Sequence, residues 1–208
     1  LEGPQMGAGF TINAAAKESE LLHKSGARPG DALVLTKPLG TGLILAGLMR
    51  NRTRGPWLDG ALAAMLQANA DAVELLMEHG ATACTDVTGF GLIGHLRELC
   101  AASGVNAELN TGDVPVLDGA MALATRGLAS TLAPANRAEL AHCRYERHLE
   151  AHPLLTVLTD PQTNGGLLAT LPNEYVEPWM ENCRLTGKNG HVIGRITEAG
   201  DAVITLHS

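Results

Sequence analysis

A single carboxylate at the edge of a glycine-rich turn is the group best placed to do chemistry. Asp86 lies in the run Thr85-Asp86-Val87-Thr88-Gly89-Phe90-Gly91, after an apolar stretch and just before a turn into a helix. A helix that opens at residues 89–91 presents unpaired N–H groups and the positive end of its dipole, which favours a phosphate. Mg²⁺ takes one or two carboxylates together with phosphate oxygens, so Asp86 is a candidate Mg²⁺ ligand on that phosphate.

Asp86 also has a purely structural interpretation. Aspartate is among the preferred helix N-cap residues, where its carboxylate accepts a hydrogen bond from the first turn. Spacing alone favours this capping role over metal binding. From the residues by themselves both interpretations stay open.

Hydrophobic periodicity around this segment predicts strands alternating with helices, which is an α/β arrangement. The predicted strands cover residues 31–36, 82–86, 105–109, 154–158, 166–171, 192–196 and 202–206. The predicted helices cover residues 43–49, 58–79, 92–104, 116–125 and 172–185. The turn at residues 160–166 is predicted to join the fourth and fifth strands, and the turn at residues 199–201 to pair the last two.

Four polar residues on or next to these elements are explained by structural roles. Lys37 follows a predicted strand, but the glycine spacing is not that of a Walker A loop, so a strand-to-helix turn explains the segment. Asn69 falls on the buried stripe of the long helix, where its amide is satisfied in the core or braces the turn around Asp86. His95 and Arg97 lie off the apolar face of the next helix and are predicted to face solvent.

Composition and charge exclude several classes of function. The 208 residues are 45% hydrophobic and 18% charged, enough for one sizeable core. A net charge of −7 and an aromatic content of only 3% argue against nucleic-acid binding and base stacking. No run approaches the roughly 20 apolar residues of a membrane helix, and no basic-then-apolar leader opens the chain. We therefore expect a cytoplasmic protein without a membrane segment.

Cysteine and histidine spacing does not indicate a zinc site. The four cysteines are Cys84, Cys100, Cys143 and Cys183. They contain no C-x-x-C motif and are typical of small buried hydrophobes in a reducing compartment. The one cluster of soft or borderline ligands in the sequence is His142, Cys143, His148 and His152. No second ligand pair stands at a matching spacing, so a physiological zinc site is not expected.

Four segments of the chain resemble one known family. They are residues 36–42 (TKPLGTG), residues 85–96 (TDVTGFGLIGHL), residues 160–168 (DPQTNGGLL) and residues 1–13, a strand that would leave a nucleotide-binding half. In this order and spacing they resemble selenophosphate synthetase (selenide, water dikinase), within the superfamily of aminoimidazole ribonucleotide synthetase. Sister families of that superfamily have different sequences in these segments.

The resemblance implies a fold, a reaction and roles for individual residues. The implied fold is α/β (α+β), a mixed sheet layered with helices, as in the C-terminal domain of the aminoimidazole ribonucleotide synthetase-like fold. The implied reaction of the intact enzyme converts ATP, selenide and water to selenophosphate, AMP and orthophosphate, with Mg²⁺. Asp86 matches the one family Mg²⁺ ligand in this half. Thr85, Thr88 and Gly89 would flank the phosphates.

The resemblance also implies that part of the enzyme lies elsewhere. The family's reactive Cys or selenocysteine, the following Lys, two further Mg²⁺-binding aspartates and a Gly-Gly-His nucleotide loop all precede the segment that matches residue 1. We therefore expect a C-terminal fragment, with residues 1–24 a remnant strand and linker and residues 25–208 the C-terminal domain. Its implied partner is its own N-terminal ATP-binding domain, in a homodimer when full-length. We expect the fragment alone to be inactive, and residues 1–13 to lie apart from the core or to pair with a neighbouring molecule.

Two departures from the family text leave a second function open. Asn164 replaces the family's serine, and residues 130–135 (STLAPA) replace Gly-Gly-Thr-Glu-Arg before Asn136. Asparagine tolerates the left-handed backbone region, so the turn at Asn164 is expected to survive with an altered hydroxyl contact. The alternative to a catalytic domain is a regulatory module that keeps the fold and binds a partner or metabolite without catalysis.

Overall fold

The described part of the chain forms a mixed β-sheet with helices packed on it. The computed structural model describes residue 11, residues 13–201 and residues 203–208, so the predicted strand at residues 1–13 lies almost wholly outside the described residues. The strands are β1 (Ala32–Leu35), β2 (Ala83–Asp86), β3 (Asn106–Asn110), β4 (Cys143–Tyr145), β5 (Leu167–Leu171), β6 (His191–Thr197) and β7 (Ile204–His207). The α-helices are α1 (Thr41–Met49), α2 (Gly55–Leu66), α3 (Ala70–Glu78), α4 (Gly91–Ser103), α5 (Ala120–Thr125), α6 (Ala133–Asn136), α7 (Pro153–Thr159) and α8 (Val176–Leu185).

Strand pairing among the described residues gives the sheet order β2-β5-β1-β6-β3-β7-β4. Strand β1 pairs antiparallel with β5 and β6, β2 with β5, and β3 with β6. Strand β7 runs parallel to both β3 and β4. The sheet is therefore mixed, which confirms the predicted α/β class. None of the described helices combines the length and the apolar character that crossing a membrane requires.

The core lies on both faces of β1. Leu33 and Leu35 of this strand pack into the larger apolar cluster, together with residues of α1, α4 and α7. Val34 points to the opposite face and packs into a smaller cluster with Leu76 of α3 and Trp179 of α8. A strand covered on both faces reads as an unbroken apolar run, which explains the sequence Ala-Leu-Val-Leu.

Residues 58–79 form two helices, so the prediction of one continuous helix is wrong. Helix α2 ends at Leu66, and Gln67 follows with an extended backbone (φ −65°, ψ 120°). The Gln67 carbonyl accepts a hydrogen bond from Lys37 Nζ at 2.6 Å. This tertiary bond uses a backbone group that a continuous helix would need for itself. Asn69 therefore begins α3 as its N-cap and does not sit in the middle of a buried stripe.

Residues 154–158 belong to helix α7, so the prediction of a strand there is also wrong. Pro153 stands in the first turn of α7, where proline is favoured, and the His152 side chain accepts from Leu154 N at 3.3 Å. A short apolar run that is buried all round has no period to distinguish helix from strand. The predicted hairpin with residues 166–171 therefore does not form, and β5 lies between β1 and β2.

The last part of the sheet also differs from prediction. Strand β7 pairs with β3 and β4, not with β6 through the turn at residues 199–201. Strand β4, within the histidine and cysteine segment, was not predicted. The predicted helix at residues 116–125 is shortened to α5, because Leu39 and Val116 form a parallel β-bridge before it. All three features depend on pairing between strands that are distant in the sequence. Local hydrophobic periodicity does not predict such pairing.

Two glycines at the ends of α4 offer a matched test of how closely this helix packs. Gly91 and Gly104 share a left-handed backbone, with φ of +69° and +68°. A Cβ on Gly91 would lie 2.8 Å from the carbonyl C and O of Thr159, whereas a Cβ on Gly104 would meet nothing within 4 Å. We expect Gly104→Ala to lower the free energy of unfolding by about 1–2 kcal/mol, the cost of the backbone conformation. Gly91→Ala should cost roughly 1–3 kcal/mol more because of the overlap. Urea unfolding of the two variants measures the difference, and equal losses would contradict the close packing.

Candidate functional site

Asp86 is the last residue of β2 and is exposed. The N-cap of α4 is Phe90, and no side chain caps this helix. The capping interpretation of Asp86 is therefore wrong, because residues 87–89 separate the carboxylate from the first turn of α4. Among the described residues the Asp86 carboxylate has no hydrogen bond and no ion pair. It is a charged group held at the end of a strand and left free for another partner.

The turn after Asp86 is anchored by two neighbouring segments, the turn at residues 160–166 and helix α6 at Asn136. Val87 N–H donates to the Gly166 carbonyl at 2.9 Å, and Gln162 N–H donates to the Thr88 carbonyl at 2.9 Å. Asn136 Nδ2 donates to the Gly89 carbonyl at 2.8 Å, and its second bond goes to the Thr159 carbonyl at 3.0 Å.

Asn136 directly follows residues 130–135, the segment that departs from the family sequence, and its amide holds the turn after Asp86 in place. Asn136 is buried, so both hydrogen bonds of its amide are protected from water. Its contacts with Gly89 and Thr159 could not be read from the sequence.

Gln162 joins this turn to the one before α1. Its side-chain Oε1 accepts from Gly40 N at 2.8 Å, from Thr41 N at 3.1 Å and from Thr41 Oγ1 at 3.1 Å. Thr41 Oγ1 in turn accepts from Thr163 N at 2.9 Å. Three of the four segments that carry the family resemblance, those around residues 36–42, 85–91 and 160–166, therefore meet at one place in the fold.

Lys37 and Asn164 make further hydrogen bonds where these three segments meet. Lys37 is 2% exposed, and its Nζ donates to the Asn164 carbonyl at 3.1 Å as well as to Gln67. Burial lowers the pKa of this amine. The structural interpretation of Lys37 is confirmed, since its ammonium group holds two backbone segments together. Asn164 adopts the expected left-handed conformation (φ +46°), and its side chain donates to the Met65 carbonyl.

Asn69 lies against the same glycine turn. Its Nδ2 donates to the Gly165 carbonyl at 3.0 Å, and Gly165 itself packs on the Val87 carbonyl. Of the two interpretations of Asn69, bracing of the turn around Asp86 is supported, through Gly165. A satisfied core amide is wrong, because Asn69 is half-buried and its buried Oδ1 has no hydrogen-bond partner among the described residues.

His95 is buried, so the prediction that it faces solvent is wrong. Its Nε2 lies 3.2 Å from Thr88 Oγ1, and its Nδ1 lies 3.5 Å from Glu98 Oε2, which Lys24 Nζ contacts at 2.8 Å. The Phe90 ring covers it, with ring centroids 5.4 Å apart. Burial lowers the pKa of the imidazole, although the charges of Glu98 and Asp86 act in the opposite direction.

The contact between His95 and Thr88 restrains the Thr88 hydroxyl. His95 Nδ1 is buried and forms no hydrogen bond with the described residues, although Glu98 Oε2 lies 3.5 Å away. Nε2 is the ring nitrogen that contacts Thr88 Oγ1, and which of the two atoms donates depends on the imidazole tautomer. The sequence did not predict this contact. Its signal was the (i, i+7) spacing of Thr88 and His95 across the start of α4. Arg97 is half-buried and donates to Glu139, so it is not fully in solvent either.

The cysteines and histidines that were considered for metal binding do not converge. The four cysteines are free, and all except the half-buried Cys143 are buried. Among the described residues no group of three or more His, Cys, Asp or Glu is arranged to hold a metal ion. A free, exposed carboxylate such as that of Asp86 fits an Mg²⁺ ion only if phosphate and other carboxylates complete the shell.

Comparison with sequence families places the chain. The family model for the AIR synthase related protein, C-terminal domain, matches residues 28–207. The chain belongs to this family. Among curated proteins, the selenide, water dikinase of Geobacter metallireducens is 34% identical, over 99% of this chain and 60% of that protein. The selenide, water dikinase of Caldanaerobacter subterraneus is 32% identical, over 95% of this chain and 58% of that protein. The resemblance to selenophosphate synthetase is thus confirmed, and the chain spans less than two thirds of the length of these relatives.

Solved structures share the fold at lower sequence identity. Thiamine-monophosphate kinase from Stenotrophomonas maltophilia superposes with a TM-score of 0.64 and 16% identity, over 89% of this chain and 52% of that one. Hydrogenase maturation protein HypE, in complex with ATP, superposes with a TM-score of 0.61 and 19% identity, over 89% of this chain and 49% of that one. Both likenesses support the AIR synthase-like architecture.

Asp160 is a fully buried residue at the start of the turn at residues 160–166. Its Oδ1 accepts from Ser130 N at 3.3 Å, whereas its Oδ2 has no hydrogen-bond partner among the described residues. Burial raises the pKa of this carboxyl from 3.8 to about 6. The folded state therefore binds the proton more tightly than the unfolded chain does, and stability contributed by Asp160 falls as pH rises from about 4 to about 6.

Replacing Asp160 with Asn should remove this pH dependence. We expect Asp160→Asn to gain stability relative to the wild type as pH rises through this window, by up to roughly 3 kcal/mol above pH 6. Urea unfolding from pH 4 to pH 8 measures the difference, with the exposed Asp59→Asn as the control for loss of one charge. A constant difference between wild type and Asp160→Asn across this range would contradict the burial argument.

Proposed function

We propose that the chain is the C-terminal domain of an ATP-dependent selenophosphate synthetase, which converts ATP, selenide and water to selenophosphate, AMP and orthophosphate. The relatives named selenide, water dikinase support this activity. The meeting of the three family segments around one turn supports it as well. The observation that carries the proposal is the Asp86 carboxylate, which is exposed at the end of β2 and has no partner among the described residues.

Asp86 is the proposed Mg²⁺ ligand of this half in a composite site. Bound Mg²⁺ would neutralise the charge that develops as a phosphoryl group is transferred. Thr85, Thr88 and Gly89 flank the phosphates in this proposal. The His95 contact orients the Thr88 hydroxyl, and the Asn136 bond fixes the Gly89 peptide, so both groups are positioned before substrate binds.

The remaining parts of the site are proposed to come from the chain's own N-terminal ATP-binding domain. That domain would supply two further aspartates, a lysine, the reactive cysteine or selenocysteine and the nucleotide loop. The full-length protein is proposed to be a cytoplasmic homodimer. The alternative is a regulatory module that keeps the fold and binds a partner or metabolite without catalysis.

The isolated chain is expected to be inactive. One carboxylate and a few oriented backbone groups do not replace the ligands of the missing half, so the 208-residue chain should neither hydrolyse ATP measurably nor bind Mg²⁺-ATP tightly. Isothermal titration calorimetry and an AMP-release assay measure both properties. ATP hydrolysis by this chain alone, or tight ATP binding that requires Mg²⁺ and is lost in Asp86→Asn, would contradict a composite site.

In the full-length parent, activity should depend strongly on Asp86. Asp86→Asn keeps the shape of the side chain and removes its charge, so selenide-dependent AMP release at saturating Mg²⁺ should fall at least ~100-fold. Asp86→Glu should restore only part of the rate, because Mg²⁺ demands near-ideal octahedral geometry.

A matched control separates the role of this carboxylate from general effects. Asp59 is also exposed, on α2, and Asp59→Asn should leave AMP release unchanged. Equal rates for the wild type and Asp86→Asn, with unfolding curves that coincide, would overturn the proposed ligand role. If the full-length wild-type protein released no AMP, the result would favour the regulatory module.

A further inference from the structure

Three arginines converge on one concave surface between the ends of α1 and α5. Arg50, Arg52 and Arg126 line a depression of about 570 Å³, together with the backbone around residues 127–131. No aspartate or glutamate lines it. We call this surface the cationic depression.

The charges of the cationic depression are not neutralised locally. All three arginines are exposed, and none forms an ion pair with any described residue. Arg50 is held in place, because its Nη1 donates to the Ala129 carbonyl at 3.0 Å. A chain with a net charge of −7 therefore carries a local concentration of three uncompensated positive charges. Guanidinium groups gathered in this way match a phosphate, which they bind through paired N–H donors.

An apolar pocket adjoins the cationic depression. It has a volume of about 430 Å³, within the range of small-molecule sites, and its apolar walls are Leu45, Ala46, Met49, Leu132 and Pro161. It shares Arg50, Ser130 and Thr131 with the cationic depression, so the two spaces lie side by side.

The rim of the apolar pocket exposes hydrophobic side chains to water. Met49 is 80% exposed and Leu132 is 54% exposed, so a ligand body that covers them would remove apolar area from water. A free inorganic phosphate would leave this pocket empty. The combination instead fits a phosphate joined to an apolar or aromatic body.

We propose that the apolar pocket and the cationic depression together bind a phosphate ester whose body presents an apolar or aromatic face, such as a nucleoside monophosphate. The arginines contact the phosphate, the apolar walls enclose the body, and Ser130 and Thr131 line both spaces. Asp86 and Thr88 line neither space. The inference therefore stands independently of the proposed synthetase activity.

Binding of three probes to the 208-residue chain tests the proposal. AMP joins a planar body to a phosphate, adenosine is the body without the charge, and inorganic phosphate is the charge without the body. In buffer that contains EDTA, AMP should bind at least ~10-fold more tightly than either part, and its affinity should fall as salt is added. Isothermal titration calorimetry measures the affinities, and amide shifts in NMR spectra should cluster around residues 45–52 and 126–132. Absence of AMP binding, or equal affinity for phosphate or adenosine, overturns the proposal.

Variants locate the site on the chain. Arg52→Gln and Arg126→Gln should each weaken AMP binding about 10-fold, as expected for loss of one charge-assisted contact. Arg147→Gln is the matched control, because Arg147 is exposed and lines neither space. Leu132→Glu places a negative charge at the exposed rim and should abolish AMP binding without unfolding the chain.

A further variant keeps this result apart from the proposed Mg²⁺ site. Asp86→Asn should bind AMP as the wild type does, whatever its effect on catalysis in the parent. Unchanged AMP binding by the double variant of Arg52 and Arg126 would overturn the proposal. Loss of AMP binding in Asp86→Asn would overturn it as well, because the nucleotide would then lie at the turn after β2.

Discussion

The buried side chain of Gln162 is the constraint on which the arrangement of the site depends. Its Oε1 accepts three hydrogen bonds from Gly40 and Thr41, its Nε2 donates to the Asp160 carbonyl at 2.9 Å, and its own N–H donates to Thr88. A buried amide that loses a partner costs roughly 1–3 kcal/mol. The start of α1, the turn after β2 and the turn before β5 are therefore fixed relative to one another by one residue.

This constraint explains why a lone exposed carboxylate can be precisely placed. Asp86 itself makes no bond within the described residues, yet the strand before it and the turn after it are anchored by Gly166, Gln162 and Asn136. A charged group on a rigid base does not have to be reorganised when a cation or phosphate arrives, and this is the physical basis of electrostatic preorganisation. The burial of His95 behind Thr88 extends the same rigidity to a hydroxyl next to Asp86.

Charge is distributed unevenly over the domain, which has a negatively charged surface at the end of β2 and a positively charged surface between α1 and α5. The end of β2 presents the Asp86 carboxylate, which attracts cations. The cationic depression between α1 and α5 presents three arginines, which attract anions, although the whole chain is acidic. One acidic domain can thus present surfaces of opposite sign, because at physiological ionic strength the field of an exposed charge is screened within about 10 Å.

The sequence by itself determined the family, the α/β class, most strands and the position of α4. These features depend on local signals: the apolar run of β1, the glycine at each end of α4, and turn residues such as Asn164, which can adopt a positive φ.

The tertiary structure decided which segments meet. Helix α7 replaces a predicted strand because its apolar residues are buried all round, and the long helix divides because Lys37 takes the Gln67 carbonyl. His95 is buried because the Phe90 ring and the turn after Asp86 fold over it, and Asn136 reaches Gly89 across 47 residues. Periodicity describes one element at a time, whereas these contacts join elements that only the folded chain brings together.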